Sequence, residues 1–283
     1  MKIIESQIIG KKSQETCEDG IIVNDNFVAV IDGSTSKSSR QISSEKSNGR
    51  LSMELIHDMI ADMPSQINCE GFCRAVTDGL QEFYDYKGID IQQLEQNPIE
   101  RLTASCIVYS VFHQEVWMIG DCQCMIDGIF YDNPKPSEQE NAMKRSAYIK
   151  EALAHGEKTE DFQTDDKGRA FILPDIIAGC RQQNKTYAVI DGTPVYMDGV
   201  RVISCKGCKE IVLASDGYPF LKPTLTESEK ALQELITADP LCIDRHVATK
   251  GVMKGYSSFD DRAYIRFQID ERKKRSWWSR WWK

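Results

Sequence analysis

Short runs of apolar residues, bounded by turn-forming Gly, Asn, Asp and Ser residues, recur through most of the chain and predict β-strands. One example is the pair of runs that flank the turn Asn24-Asp25-Asn26. Hairpin connections are expected at residues 112–114 and at Gly120-Asp121. The predicted strands span residues 2–9, 20–24, 27–32, 103–112, 115–120, 123–126, 186–190, 194–196, 200–204, 209–215 and 262–268.

Between these strands, apolar residues spaced three and four positions apart predict amphipathic helices. In the first helix, Leu51, Leu55, Ile56, Met59 and Ile60 form one stripe that a core would cover. The predicted helices span residues 43–63, 69–86, 225–238 and 240–250. The polar segment 133–170 holds a further helical pattern at 138–155, and we predict that this segment forms a flap or an irregular insertion.

The order of these elements predicts an α+β fold. Strands are followed by a helix pair, many further strands, a second helix pair and a closing strand, which indicates a four-layer α-β-β-α sandwich with two central, mainly antiparallel sheets. No Pro-, Gly- or Ser-rich linker divides residues 1–270. We therefore predict one domain over this range, followed by a short tail at residues 271–283.

Length and composition suit a protein with a large core, since 41% of the 283 residues are hydrophobic. The N-terminal segment lacks the apolar run and cleavage site of a secretory signal, and no window reaches the roughly 18 apolar residues of a membrane span. We therefore expect a soluble, cytoplasmic protein.

Ten cysteines lie mostly within apolar runs, as in TASCIVYS and INCEGFC, which favours reduced thiols over a disulfide framework. Cys205 and Cys208 have the spacing of half a zinc site. No second pair with compatible spacing follows them, so a turn at Lys206-Gly207 is the preferred interpretation.

Charge is distributed unevenly along the chain. The net charge is −8, but the tail segment 272–283, RKKRSWWSRWWK, holds six basic residues and no acidic one, which leaves −14 on the first 271 residues. An acidic body argues against a nucleic-acid-binding surface on the domain.

The same tail contains four of the five tryptophans. Tryptophan and basic residues together suit the surface of an anionic membrane or a groove on a partner protein. Docking of the tail on its own domain, or a tail without fixed structure, is the alternative.

Acidic residues stand where several apolar runs begin or end. A carboxylate beside the end of a buried strand is costly unless a cation or hydrogen bonds satisfy it. Mg²⁺ and Mn²⁺ prefer such oxygen ligands, and two ions about 3.5–4 Å apart can activate water for attack on a phosphate ester. The pattern therefore indicates metal-assisted phosphoryl transfer or hydrolysis. The residues concerned are Glu18, Asp19, Asp32, Asp121, Asp216, Asp260 and Asp261.

Taken in order, the motifs CEDG, VAVIDGS, LTAS, WMIGDCQCMI, IVLASDG and SSFDDRAYI resemble those of the metal-dependent type 2C serine/threonine protein phosphatases. The resemblance extends from about residue 17 to residue 267, in short motifs rather than continuous similarity. It implies a divergent, bacterial-type member with the α-β-β-α sandwich. It also implies a centre of two or three Mn²⁺ or Mg²⁺ ions, and hydrolysis of phosphoserine and phosphothreonine in phosphoproteins by metal-activated water.

The resemblance assigns roles to individual positions. It implies that Asp32 is shared by two ions, that the Gly33 carbonyl and Glu18 serve one of them, and that Asp216 and Asp260 hold the other.

Two further roles follow from the same resemblance. Asp19 would hydrogen-bond a metal-bound water and, with Asp32, form the catalytic pair. Asp121 either contributes to an additional ion or forms only a hairpin turn.

The chain departs from the family pattern where substrate phosphate is bound. Gln14 stands where the family often carries an arginine that grips the phosphate. Lys11 or Lys12 would have to substitute for it, although a lysine lacks the bidentate fork of arginine. A further departure is Asp260-Asp261, where the family usually has Asp-Asn.

A third departure follows the Asp32-Gly33 pair. Ser34-Thr35-Ser36-Lys37 replaces the segment in which some members carry a histidine acid. The hydroxyls of Ser34 and Thr35 are interpreted as caps of the following helix, with phosphate binding by Ser34 as the alternative.

These departures keep one alternative open, a catalytically inactive pseudophosphatase that acts as a binding or regulatory module. A second alternative, an actin-like phosphotransferase, comes from VIDGSTSKS taken alone, which is similar to a hydroxyl-rich phosphate loop. A hydrolase triad is disfavoured, because none of the four histidines lies beside a carboxylate motif or a plausible nucleophile.

Overall fold

The computed structural model describes residues 1–269, which form ten β-strands and seven α-helices. The strands are β1 (Lys2–Ile9), β2 (Asp19–Val23), β3 (Phe27–Gly33), β4 (Ala104–Ser110), β5 (Glu115–Ile119), β6 (Gln123–Ile126), β7 (Ile129–Tyr131), β8 (Arg201–Ser204), β9 (Glu210–Ala214) and β10 (Arg262–Gln268). The helices are α1 (Asn48–Ala61), α2 (Cys69–Tyr86), α3 (Ile91–Gln96), α4 (Glu138–Ala154), α5 (Thr159–Thr164), α6 (Lys167–Cys180) and α7 (Leu225–Ala238).

The strands form two five-stranded sheets, and all strand pairs are antiparallel. The first sheet has the order β1-β10-β9-β6-β7, and the second has the order β2-β3-β4-β5-β8. The predicted α+β fold with two antiparallel sheets is therefore confirmed.

Alternation along β3 shows how the layers stack. Val28 and Val30 face residues of β9 and β10 in a core between the two sheets, whereas Phe27, Ala29 and Ile31 face the helices α1 and α2 on the other side. Side chains of successive strand residues point to opposite faces, so each strand in the middle of the sandwich contributes to two cores. The outer face of the first sheet packs against the segment that leads into α7.

Residues 133–180 form a helical insertion at one end of the sandwich. Helices α4 and α6 pack together, and the rings of Tyr148 and Phe171 stack with their centroids 4.9 Å apart. Arg145 is fully buried and holds the insertion to the loop after α7, because its guanidinium binds Asp166 and donates to the carbonyls of Leu241 and Ala248. The segment was predicted to be either a flap or an irregular insertion, and the structure shows that it is helical.

The predicted helix at 240–250 is wrong. The Asp239 carboxylate accepts hydrogen bonds from the backbone N–H groups of Ile243, Asp244 and Arg245, so those groups are taken up by a loop. Cys242 also adopts a left-handed backbone with φ of 51°, which a helix does not allow.

The predicted strands at 186–190 and 194–196 are also wrong, since only isolated bridges occur at Tyr187 and Ile190. The Asn184 side chain explains the difference. Its Oδ1 accepts from the backbone N–H groups of Val189 and Tyr196, which a ladder would otherwise use.

The predicted hairpin at Gly120-Asp121 is wrong as well. Strand β5 pairs with β4 and β8, whereas β6 pairs with β7 and β9, so this connection carries the chain from one sheet to the other. Gly120 has φ of +89°, and a Cβ there would lie 2.2 Å from Ser105 Oγ. The tight crossing therefore requires glycine.

Two smaller expectations concern turns and cysteines. Residues Lys206 and Gly207 form the predicted turn, and all ten cysteines, which lie within the described range, are free thiols as predicted. Within residues 1–269, no helix combines the length and apolar character needed to cross a bilayer.

Candidate metal centre

Two carboxylates face each other at the end of the second sheet. Asp19 of β2 lies opposite Asp32 of β3 in the antiparallel register, and Asp32 in turn lies opposite Ser105 of β4. Because Asp32 has the same parity as Val28 and Val30, its side chain points toward the space between the sheets. Strand β3 thus places the Asp32 carboxylate at the open end of the core between the two sheets.

Glycines let the backbone and Glu18 approach closely beside Asp32. A Cβ on Gly33 would lie 2.1 Å from the Gly49 carbonyl oxygen, and a Cβ on Gly49 would lie 2.5 Å from Glu18 Oε1. Glu18 accepts hydrogen bonds from Ser47 Oγ at 2.6 Å and from Thr35 Oγ1 at 2.5 Å. The Glu18 carboxylate is therefore held in one position next to the Gly33 carbonyl.

The first sheet contributes the other carboxylates. Asp216 follows β9, and Asp260 and Asp261 directly precede β10. Asp261 is buried and accepts from the backbone N–H groups of Lys11, at 2.7 Å, and Glu18, at 3.1 Å. It thereby ties the start of β2 to the end of the first sheet.

These residues surround one cleft at the end of the sandwich, with a cavity volume of about 140 Å³. One water molecule needs roughly 10–15 Å³ of such volume, so the cavity has room for a small ligand the size of a phosphate group. Asp32, Gly33, Asp216 and Asp260 line the cleft, while Glu18, Asp19 and Asp121 lie buried behind its wall.

The buried carboxylates lack sufficient partners among the described residues. Asp19 Oδ2 and Asp216 Oδ1 are buried without a hydrogen bond. Burial raises the pKa of Asp19 to about 8, with Asp261 and Asp216 adding to the effect and a hydrogen bond from Ser215 opposing it. Burial also raises the pKa of Asp32, as do the charges of Asp216 and Asp19. Unsatisfied oxygens that repel one another are the donor set that hard divalent cations bind, so the residues fit Mg²⁺ or Mn²⁺.

Two lysines offset part of this negative charge. Lys11 Nζ lies 3.1 Å from Asp260 Oδ1 and 3.3 Å from Asp261 Oδ2, and Lys250 forms an ion pair with the other Asp260 oxygen. Burial lowers the pKa of Lys250 to about 8. A divalent ion at Asp260 would therefore compete with two ammonium groups.

A second acidic cluster lies around Asp121. One carboxylate oxygen each of Asp121, Glu138 and Asp216 lies within 4.8 Å of the others, which is compact enough for a cation. Lys135 Nζ lies 2.6 Å from Asp121 Oδ2, and Ser105 Oγ lies 2.5 Å from Asp121 Oδ1. Burial opposes ionisation of Asp121, but the Lys135 ammonium outweighs it and lowers the pKa of that carboxyl.

Of the three residues that the sequence suggested for phosphate binding, Lys11, Lys12 and Ser34, only Ser34 lines the cleft. Lys11 is paired with carboxylates, Lys12 is exposed and does not line the cleft, and Gln14 is exposed. Ser34 lines the cleft and receives a hydrogen bond from Lys37 Nζ at 2.5 Å.

The predicted capping role of Ser34 and Thr35 is wrong. Helix α1 begins thirteen residues after Thr35, at Asn48, and Ser47 is its N-cap, with its side chain accepting from the Arg50 N–H. Thr35 instead donates to Glu18. The start of the irregular segment between β3 and α1 instead contributes Ser34, Thr35 and Lys37 to the lining of the cleft.

Several charged residues of the cleft were not found from the sequence. Lys250 and Arg169 lie in segments whose position depends on the packing of the insertion and the loop after α7, so no local pattern marks them. Lys135 and Glu138 lie at the start of a predicted helix. Charged residues at such a position indicate a turn or a helix end, so the sequence does not mark them as residues of a binding site. Those that line the cleft are Lys37, Lys135, Glu138, Arg169 and Lys250.

No protein-family model matches the chain, and no curated protein sequence matches it significantly. Solved structures do match. The chain is similar to bacterial serine/threonine phosphatases. A bacterial serine phosphatase has a TM-score of 0.47 at 14% identity, with 94% of this chain and 98% of that chain covered.

Two further solved structures match the chain with similar coverage, identity and TM-score. The serine/threonine phosphatase PstP of Mycobacterium tuberculosis has a TM-score of 0.46 at 13% identity, covering 95% of this chain and 100% of that one. PppA of Pseudomonas aeruginosa, described as a regulatory component of T6SS, has a TM-score of 0.44 at 16% identity, covering 94% and 96%. These structures assign no role to any residue of this chain, so residue roles depend on the contacts above.

Proposed function

We propose that this protein is a metal-dependent phosphatase that hydrolyses phosphate monoesters, with phosphoserine and phosphothreonine in proteins as substrates. One observation carries the proposal: Asp32, Asp216 and Asp260, from three separate parts of the chain, line one cleft, and buried carboxylate oxygens there lack partners among residues 1–269. Such a donor set suits hard divalent cations better than any other ligand class.

Mn²⁺ or Mg²⁺ would be held by Asp32, the Gly33 carbonyl and Glu18 on one side, and by Asp32, Asp216 and Asp260 on the other. When bound, a pair of such ions supplies an activated water and neutralises the charge of a phosphate ester.

The chain's own residues organise this centre. Ser47 and Thr35 donate to the two oxygens of Glu18 and so fix its position. Asp261 holds the backbone of Lys11 and Glu18 against the first sheet. Asp19, buried beside Asp32, offers an unpartnered oxygen that would accept a hydrogen bond from a ligand of the centre.

The proposal is tested by Mn²⁺-dependent hydrolysis of p-nitrophenyl phosphate and of a phosphothreonine peptide. Wild type is compared with Asp32→Ala and Asp216→Ala, with EDTA added as a control. Asp25→Ala is the matched variant, because Asp25 is an exposed turn residue. Activity that requires the metal, persists in the control variant and falls at least about 100-fold in both cleft variants is the expected result. Activity that survives EDTA or either cleft variant would contradict the proposal.

A second candidate function has its own supporting observation. Lys11 and Lys250 pair with Asp260, and Lys135 pairs with Asp121. If these ammonium groups permanently neutralise the carboxylates, the chain is a pseudophosphatase that binds partners without chemistry. A folded wild type that binds no Mn²⁺ and hydrolyses neither substrate would favour this alternative.

The tail at 272–283 lies outside the described residues, and its role rests on its sequence alone. We propose that its tryptophan and basic residues recruit a cytoplasmic enzyme to an anionic membrane surface. A truncated variant ending at Asp270 is expected to lose co-sedimentation with acidic liposomes. If it sediments as well as the full chain does, membrane recruitment is excluded, which leaves binding to a partner protein, docking on the protein's own domain, or a tail without fixed structure.

A further inference from the structure

Lys37 and Arg169 are cations of the cleft that have no carboxylate partner within residues 1–269. The polar contact of Lys37 Nζ is the neutral Ser34 hydroxyl. Arg169 Nη1 donates to the carbonyl of Thr249 at 2.8 Å and to its hydroxyl at 3.3 Å. The other lysines of the cleft differ, because each is paired with an acidic residue.

The two cations reach the cleft from different parts of the fold. Lys37 belongs to the segment after β3, and Arg169 belongs to the first turn of α6 in the helical insertion. Burial lowers the pKa of Lys37, and the charges of Lys135 and Arg169 add to this effect. Burial likewise lowers the pKa of Arg169. Partly buried cations that repel one another are stabilised when an anion binds between them.

Within the described residues, no carboxylate accepts a hydrogen bond from the Arg169 side chain. Asp166 is the nearest acidic residue in the sequence, but its carboxylate accepts from the Arg145 guanidinium and from the Arg169 backbone N–H. The side chain of Arg169 is thus fixed at one nitrogen by Thr249, while its Nε and Nη2 form no hydrogen bond within the described range. Two free donors in a planar fork match two oxygens of a phosphate.

We propose that Lys37 and Arg169 form the phosphate clamp of this enzyme and bind the phosphoryl oxygens of the substrate that point away from the metal ligands. The inference rests on the proposed phosphatase function and assigns the residues that recognise its substrate. Lys11 is unsuited to this role because it is paired with Asp260 and Asp261, and Lys12 does not line the cleft. One of the two clamp residues, Arg169, therefore belongs to the helical insertion, which gives the insertion a part in substrate recognition.

The first test measures binding of inorganic phosphate by calorimetry to the full chain in Mg²⁺ buffer. Lys37→Met and Arg169→Met are compared with two exposed residues near the same cleft wall that do not line it, changed as Lys185→Met and Arg181→Met. Each clamp variant is expected to bind phosphate about tenfold more weakly or worse, because each loses charge-assisted hydrogen bonds. The control variants are expected to match wild type.

The second test measures kcat and KM for p-nitrophenyl phosphate with Mn²⁺, together with Mn²⁺ affinity. The clamp variants are expected to raise KM about tenfold while Mn²⁺ affinity stays unchanged, which separates a substrate role from a structural one. Arg169→Lys keeps the charge without the fork and should fall between wild type and Arg169→Met. If Lys37→Met does not fold, Lys37→Gln is measured in its place. If Arg169→Met does not fold, Arg169→Lys is measured in its place.

Failure of this inference is distinguishable from failure of the proposed function. If wild type binds phosphate but hydrolyses no ester, the calorimetric comparison still decides the clamp. If wild type binds no phosphate, or if either clamp variant binds it as well as wild type does, the clamp is overturned. Weakened phosphate binding in both variants supports it.

Discussion

Asp19 and Asp32 lie directly opposite each other on neighbouring antiparallel strands, at the end of the sheet that opens into the cleft. Residues in such a pair have side chains about 4.5–5.5 Å apart at Cβ, and like charges directly opposite are destabilising. The fold therefore places two carboxylates where their ionised forms repel each other. A cation bound between the sheets would remove this cost.

The pair makes the stability of the metal-free protein depend on pH. Asp19 has a pKa of about 8 in the folded chain and about 3.9 when unfolded. Since the folded state holds its proton more tightly, the contribution of Asp19 is fully present below about pH 4 and is lost as the pH rises toward 8. Asp32, whose pKa burial also raises, acts in the same direction.

We therefore expect the melting temperature of the protein in EDTA to fall between about pH 5 and 8, and Mn²⁺ to restore more stability at the upper end of this range. Asp19→Asn removes one of the titrating groups and should flatten the fall, whereas Asp25→Asn, at an exposed turn, should not. Thermal melts across this range check the prediction. Identical profiles for wild type and Asp19→Asn would refute it.

The lysine pairs at Asp260 predict an unusual effect on metal affinity. Lys250 contacts the Asp260 carboxylate and competes with a divalent ion for it. Because a partly exposed ion pair is worth about 1 kcal/mol, Lys250→Met should bind Mn²⁺ roughly fivefold more tightly than wild type. Lys254→Met, four residues away and exposed, is the control. Weaker Mn²⁺ binding by Lys250→Met would show that the lysine supports the site instead.

Gly49 is predicted to protect the position of Glu18. Alanine usually stabilises a helix relative to glycine by about 0.5–1 kcal/mol, but a Cβ at Gly49 would lie 2.5 Å from Glu18 Oε1 and 2.9 Å from the Gly33 carbonyl oxygen. Gly49→Ala should therefore lower Mn²⁺ affinity at least about tenfold while the protein stays folded. In Gly79→Ala the new Cβ meets only the flexible Met59 side chain, so metal affinity should be unchanged. Equal Mn²⁺ affinity in the two variants would disprove the role of Gly49.

Arg145 is expected to be the main polar anchor of the helical insertion. Its removal leaves the Asp166 carboxylate and the carbonyls of Leu241 and Ala248 without their buried donor. Arg145→Met should lower the free energy of unfolding by about 3–5 kcal/mol, the usual cost of breaking one side of a buried pair. Lys144→Met, on the exposed side of the same turn, should change it by no more than about 0.5 kcal/mol. Urea unfolding measures both, and a small loss in Arg145→Met would contradict this role.

The strand and helix boundaries that could be predicted from the sequence are those set by local periodicity. Helix α2 has the predicted bounds, because its apolar stripe and its Asn68 cap are both local signals. The segment at 240–250 carries a similar apolar spacing, but Asp239 takes its backbone N–H groups into a loop. Side-chain competition for backbone hydrogen bonds does not show in the hydrophobic pattern.

The carboxylates of the candidate centre could be found because each stands at the end of an apolar run, and the structure brings Asp32, Asp216 and Asp260 to one cleft. The cations could not be found in this way. Arg169 and Lys250 reach the cleft only because the insertion and the loop after α7 pack together through Arg145. Their roles depend on contacts between residues far apart in sequence, which periodicity does not report.

The most direct test of the account is the number of Mn²⁺ ions that the full chain binds, measured by calorimetry and by electron paramagnetic resonance. Wild type is predicted to bind at least two ions per chain with a spin-coupled signal. Asp32→Asn, which changes the residue proposed to be shared by the two ions but keeps the side-chain shape, is predicted to lose the coupled signal. No binding by folded wild type, or the same coupled signal in Asp32→Asn, would contradict the account.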